Sequence, residues 1–171
     1  MKKHFILFGI TFIMAFNSIG QTLKINNEKA LVNFDFLSEE TTGTVTGIKA
    51  TIVFDAKNLS VSSFNGTADV STLSTNNTKR DNHLQQEEMF HVEKYPTMDF
   101  NSSSIEKNEK GFSMKGSLSI KGTKKDVIID FTFQDNVFIG KTVIYSNDFD
   151  VLPQKTREAS KVLVKITIPI I

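Results

Sequence analysis

From residue 30 to the end of the chain, apolar side chains recur at every second position, which restricts these segments to strands with one buried face and one solvated face. In residues 30–37, Ala30, Val32, Phe34 and Phe36 fall on one side, opposite Asn33 and Asp35. In residues 46–54, Ile48, Ala50, Ile52 and Phe54 oppose Lys49 and Thr51. The pattern is clearest in residues 111–122, where Phe112, Met114, Leu118 and Ile120 alternate with Ser113, Lys115, Ser117 and Ser119. It returns with Val127, Ile129, Phe131 and Phe133, and again with Val162, Val164, Ile166, Ile168 and Ile170. Residues 64–73, 97–105 and 137–147 carry it more weakly. Turn signals at Asn58, Asn65-Gly66, Lys110-Gly111, Lys121-Gly122 and Asp135-Asn136 separate the runs. Short turns join strands antiparallel, whereas parallel strands need long crossovers. The chain is therefore expected to be all-β, with about eight antiparallel strands stacked as a sandwich or closed as a barrel. Closure is favoured because it removes exposed edges.

One segment breaks the rhythm, KRDNHLQQEEMFHVEKYPTMDF at residues 79–100. Asp81 can cap a short helix near residues 82–90 whose apolar side is Leu84, Met89 and Phe90. Pro96 then returns the chain to a strand. His83, Glu87 and His91 would share a face if that helix ran unbroken, as metal ligands do, but the same spacing arises on solvated faces and the helix is expected to end near Phe90. No metal or other cofactor is expected. Glu87 and Glu88 are adjacent and so point apart. No Gly-x-Ser-x-Gly turn is present and the chain has no cysteine, so catalytic residues are not expected either. Residues 43–47, GTVTG, lack the Gly-Lys-Ser/Thr ending of a phosphate loop and read as a twist or bulge.

The first twenty residues differ from the rest. A basic head at Lys2-Lys3, an apolar run over residues 5–16 and a small, polar exit before Gln21 have the form of a cleaved secretory signal peptide. The expected domain is residues 21–171, periplasmic or secreted, with no membrane span after cleavage. Without a cysteine after the leader, a lipid-anchored lipoprotein is excluded. Removing Lys2 and Lys3 leaves 18 basic side chains against 19 acidic, a balance that gives no electrostatic case for nucleic acid. Without disulfides the domain must be held by its core, and the remaining 151 residues can bury enough surface for that. Eleven of the fifteen phenylalanines lie after residue 20, and there is no tryptophan. Eight strands is the size at which a barrel either fills with side chains or holds one small ligand, and composition leaves both open.

Specific residues narrow this choice. STLSTNN at residues 71–77, Arg80-Asp81, His83-Leu84, Phe90 and KYPTMDF at residues 94–100 stand in the order found in the YceI-like family, also called polyisoprenoid-binding proteins, and so do FDAKN at residues 54–58 and GSLSIKGTKKDVIIDFTF at residues 116–133. The chain resembles that family over nearly its whole length after the leader. One departure falls in YSNDFDV, where Ser146 and Asp150 replace an arginine and a glycine common in the family. The resemblance implies a lipocalin-like barrel whose apolar lumen sequesters a long isoprenoid, quinone or acyl chain, with the inserted helix near a mouth. It implies wall residues Phe34, Phe36, Ile52, Phe54, Phe100, Met114, Leu118, Ile129, Phe131 and Phe133, with Leu84 and Phe90 seated against the mouth and Arg80, Asp81 and His83 at the head group or mouth. A ligand-free barrel acting as a protein-interaction module is the alternative, and a homodimer is left open.

Overall fold

The structure, a computed structural model, describes residues 21–171; the leader expected at residues 1–20 lies outside the described residues. Ten antiparallel strands form one curled sheet: β1 (Thr22–Leu23), β2 (Leu31–Phe36), β3 (Thr41–Val45), β4 (Lys49–Val53), β5 (Ser63–Asp69), β6 (Thr97–Asn108), β7 (Gly111–Ile120), β8 (Thr123–Gln134), β9 (Val137–Tyr145) and β10 (Lys161–Pro169). Their order across the sheet is β1-β4-β5-β6-β7-β8-β9-β10-β2-β3.

The expected eight strands become ten because the two-residue β1 pairs with β4 and one expected strand is extended and divided. β3 and β4 are two halves of one bent strand, turned at Gly47, which takes a left-handed φ of +63°. The half before the bend pairs with β2 and the half after it pairs with β5, so the chain passes from one margin of the sheet to the other. Backbone hydrogen bonds stitch the seam at both ends. Thr44 and Ser74 exchange bonds of 2.8 and 2.9 Å at one end. At the other, Asn26 donates to Pro169 O at 2.8 Å and Ile171 to Lys24 O at 2.9 Å. The twist expected at residues 43–47 is thus the corner that curls the sheet onto itself.

Two of the expected turns are type I′-like, with φ of +50° and +76° at Lys121-Gly122 and +49° and +59° at Asp135-Asn136. Asn65-Gly66 is not a turn. Both residues lie inside β5, where Gly66 faces Ala50 across the strand pair, so this glycine marks close backbone approach.

The inserted helix, α1, spans Thr78–Leu84 and not residues 82–90. Its cap is Asn77, whose side chain accepts the Arg80 amide at 3.0 Å, and not Asp81, whose carboxylate is used elsewhere. Residues 85–94 are a series of turns closed by Phe90 N–H to Leu84 O at 3.0 Å and Tyr95 N–H to His91 O at 2.8 Å. His91 has a left-handed φ of +51°, so the helical face that would have aligned His83, Glu87 and His91 does not form. His83 instead faces Glu88 at 3.3 Å, and His91 meets the Tyr95 ring edge-on.

The inward positions are not evenly filled. At the end formed by the β6–β7 and β8–β9 hairpins, Phe54 makes edge contacts with Phe64, Phe112, Phe131, Phe133 and Phe138 at centroid distances of 5.1–6.1 Å. Phe133 and Phe138 stack at 4.1 Å. These six rings, with Ile25, Ile52, Ile105, Met114 and Ile129, close that end of the barrel. Edge-to-face pairs each add about 0.5–1.5 kcal/mol beyond the area they bury. Truncating the hub, Phe54→Ala, is expected to cost about 3–5 kcal/mol in urea unfolding; a loss below about 1 kcal/mol would mean that the rings do not form a packed plug.

Candidate functional site

The opposite half of the barrel is empty because its inward side chains are small. Going from the plug toward α1, the inward series on β4 and β5 shrinks from Phe54 and Phe64 to Ala50, Gly66 and Ala68, and on β9 from Phe138 to Gly140 and Thr142. Ile48 on the β4 side and Ile144 on β9 follow these small residues toward α1 and line the same space. A cavity of about 450 Å³ results, floored by Ile52, Phe64, Phe131 and Phe138 and walled by Phe34, Phe36, Phe100, Met114, Leu118, Ile129, Val164 and Ile166. Two further glycines shape its walls: a Cβ at Gly43 would strike the Phe34 ring, and one at Gly116 would strike the Phe100 ring, so both rings lie flat over backbone. The loop after β9 adds Phe149, Val151 and Leu152 near the mouth. Leu84 is buried and Phe90 half-buried, each packed with Met98 and other apolar groups under α1 and the turns after it.

One polar knot sits at the rim. Asp81 accepts the Thr75 amide at 2.8 Å and the Thr75 hydroxyl at 2.5 Å. That hydroxyl in turn accepts from Arg80 Nε at 2.8 Å, and Arg80 also donates to Thr75 O and Thr41 Oγ1, each at 3.2 Å. Thr75 and Thr41 are buried. Thr75 thus separates the two charges, and Arg80 makes no ion pair with a carboxylate among the described residues. Of the side chains lining the cavity, Arg80 is the one permanent cation; Glu39, bonded to Gln154 at 2.9 Å, and His83 are the other ionisable groups.

The expected wall residues therefore divide. Phe34, Phe36, Ile52, Phe100, Met114, Leu118, Ile129 and Phe131 line the cavity, as do Leu84, Phe90, Arg80 and His83. Phe54 and Phe133 do not: both point inward, but they belong to the plug. Asp81 also stays out of the lining and acts through Thr75. Sequence reasoning set Ala50 on the inward face without naming it as a wall residue and missed Gly66, Ala68 and Gly140, since attention to bulky alternation passes over small residues at inward positions. It also missed Thr41 and Thr75, which hold Arg80.

The two departures near the C-terminal end have local explanations. Ser146 is buried on the cavity wall and donates to Leu152 O at 3.2 Å, so a short neutral side chain stands where an arginine would bring a second charge. Asp150 has φ +56°, a left-handed conformation natural to glycine and tolerated by aspartate. The same loop is tied down by Arg157, which lies 3.5 Å from the Tyr145 ring and bonds Asp148 at 2.7 and 3.2 Å. The Arg157 hydrogen bonds hold the Asp148 carboxyl below its ordinary range. That contribution is complete above the ordinary aspartate value of about 3.9 and is lost as pH falls through the lowered one.

The YceI-like domain model matches residues 23–170. The chain belongs to the YceI-like family. It is 32% identical over 139 residues to Protein YceI of Escherichia coli O6:H1, covering 76% of this chain and 72% of that protein. Among solved structures it is similar to Burkholderia cenocepacia BcnA, with a TM-score of 0.72, 22% identity, and coverage of 85% of this chain and 98% of the other. A polyisoprenoid binding domain from Saccharophagus degradans shares the fold at a TM-score of 0.57 and 10% identity, over 84% of this chain and 94% of that one.

If the knot is what fixes Arg80, Asp81→Ala should strand the buried Thr75 amide and cost about 1–3 kcal/mol in equilibrium unfolding. Asn77→Ala, which removes only a helix cap, should cost about 1 kcal/mol. Equal, negligible losses would show that the rim is not organised by Thr75.

Proposed function

We propose that this YceI-like chain is an exported carrier that sequesters a long apolar chain, such as an isoprenoid, quinone tail or acyl chain, in the half-barrel beneath α1, and that it is not an enzyme. The observation that carries this reading is the apolar cavity of about 450 Å³, within the roughly 300–1,000 Å³ of ordinary ligand sites. Its walls are preformed by strands, so little ordering free energy opposes binding. Further support comes from the Saccharophagus degradans domain, a structural relative described as polyisoprenoid binding. The basic, apolar, then small N-terminal sequence supports export to the periplasm or beyond. Among the described residues no helix is long and apolar enough to cross a membrane.

The mechanism is transfer of apolar surface out of water, about 25 cal/mol per Å² buried. The tail enters past Leu84 and Phe90 and stops at Phe64, Phe131 and Phe138. At about 30 Å³ for each water-sized group, the cavity holds roughly fifteen carbons. Longer tails must leave their remainder at the mouth or displace the plug. At the mouth Arg80 offers hydrogen bonds to an oxygen-bearing head group, with His83 beside it.

Chain-length dependence tests this directly. Native mass spectrometry with prenyl alcohols of increasing length should show affinity rising by about 0.8 kcal/mol per buried methylene up to roughly fifteen carbons and levelling off beyond. Ala68→Phe, which fills the cavity beneath α1, should abolish uptake while leaving the far-ultraviolet spectrum unchanged. No uptake at any length would leave the ligand-free interaction module as the better account. For the head group, Arg80→Met should weaken a carboxylate- or phosphate-headed ligand by about tenfold or more and leave a hydrocarbon-headed one unaffected; equal losses for both would remove Arg80 from head-group recognition.

A further inference from the structure

Two segments cover the mouth and meet along one seam. One is the run of turns after α1, which carries Met89 and Phe90; the other is the loop after β9, which carries Phe149, Val151 and Leu152. Phe90 and Leu152 are half-buried, and each packs against both of the apolar clusters beneath the mouth, as does Met98 on β6.

The two sides are anchored differently. Phe149 and Val151 are only 2% and 3% exposed, and the base of their loop is fastened by the Asn147 side chain, which exchanges hydrogen bonds of 2.6 and 2.9 Å with the Gln154 backbone. The turns after α1 are bonded mainly to themselves, through Phe90 N–H to Leu84 O, His91 N–H to Gln86 O and Val92 N–H to Gln85 O at 2.9–3.1 Å. Leu84 is buried, but none of residues 85–92 is. Gln85 reaches Ser71 O at a long 3.4 Å. Few buried contacts and self-contained backbone bonding let a segment open locally while the rest of a protein stays folded.

One side chain fastens the seam. Lys121, in the β7–β8 turn, donates from Nζ to Glu88 O and to Asp150 O, each at 3.2 Å. Among the described residues no other side chain is bonded to both segments, and no hydrogen bond runs directly from one to the other. The backbone on either side of the seam is left-handed, with φ +51° at His91 and +46° at Leu152, and that conformation is costly for leucine. Parting the seam lets Leu152 return to ordinary angles, so the clasp and the Phe90–Leu152 packing hold the closed form against backbone strain.

We propose that residues 85–92 are a lid that parts from Leu152 to admit the apolar chain, and that Lys121 is the clasp that sets the rate of ligand exchange. The lid presupposes the carrier function and adds to it a route and a control of traffic. Lys121 does not line the cavity, so its clasp holds the closed form equally with and without ligand. An interaction of equal strength in both states leaves affinity unchanged, and entry and exit are slowed together.

Farnesol, whose chain matches the cavity, is the probe. Chasing bound farnesol with its deuterated form and following the exchange by native mass spectrometry gives the exit rate; titration gives the dissociation constant. Lys121→Met keeps the aliphatic stem and removes both hydrogen bonds. It should speed exit about tenfold or more while the dissociation constant stays within about twofold, because entry quickens equally. A weakened wall would instead raise the dissociation constant along with the exit rate. Glu88→Cys combined with Asp150→Cys, in a chain that has no other cysteine, allows the two segments to be joined by a short bis-maleimide, with the unjoined double variant as reference. Joined before loading, the chain should take up no farnesol; joined after loading, it should keep its farnesol through the chase. An exit rate unchanged by Lys121→Met, a faster exit matched by an equal loss of affinity, or a joined chain that exchanges freely would each overturn the lid. A wild-type chain that binds no farnesol would overturn the carrier function, and the lid with it.

Discussion

The packing of five phenylalanine rings around Phe54 fixes one end of this barrel, and the remainder of the molecule is arranged with respect to it. Edge-to-face rings fill space without leaving a polar atom to satisfy, so this end needs neither water nor a hydrogen-bonding side chain. Along the same strands the inward side chains then contract to Ala50, Gly66, Ala68 and Gly140, and the strands themselves continue. A sheet whose backbone spacing is set by hydrogen bonds cannot collapse to fill what its side chains vacate. The cavity is therefore a consequence of side-chain size along strands of constant spacing.

The open half must be held from outside. The bend at Gly47 carries the chain from β3 to β4 across the seam, and the Thr44–Ser74 bonds fasten the start of the α1 segment to β3. From there the Asp81, Thr75 and Arg80 knot sets α1 over the mouth and places Leu84 under it. A buried threonine hydroxyl between an aspartate and an arginine satisfies both while leaving the guanidinium without a counter-ion, which is how a cation can be kept at the edge of an otherwise apolar space. The segment that crowds charges in the sequence is thus a brace for the mouth, with its apolar residues turned inward and most of its acidic residues in solvent.

The strand pattern was legible because period 2 is a direct property of the pleat: Phe34, Phe36, Ile129 and Phe131 could be assigned to the interior from alternation alone. The division of the interior was not legible. Phe54 and Phe133 obey the same alternation as Ile52 and Phe131, and only three-dimensional position along the barrel axis separates plug from wall. The cavity itself was signalled by small residues in inward register, Gly66 above all, and an Asn-Gly pair inside a strand reads as a turn until its pairing with Ala50 is known. The helix cap was misplaced from Asn77 to Asp81 because both are good caps, and the competing use of Asp81 by Thr75 is a tertiary effect. The resemblance of residues 71–100 and 116–133 to the YceI-like family was the firmest sequence signal, since it rested on order and spacing, which composition does not carry.

The central claim is that a ligand tail occupies the half-barrel beneath α1 and ends on the phenylalanine plug. Crystals grown with a prenyl chain of about fifteen carbons carrying bromine at its far end would locate that end by anomalous scattering. The account predicts a bromine peak among Ala50, Gly66 and Gly140, with the rings of Phe54 and Phe138 in place beneath it. A peak below those rings, or one on the outer face of the sheet, would contradict it.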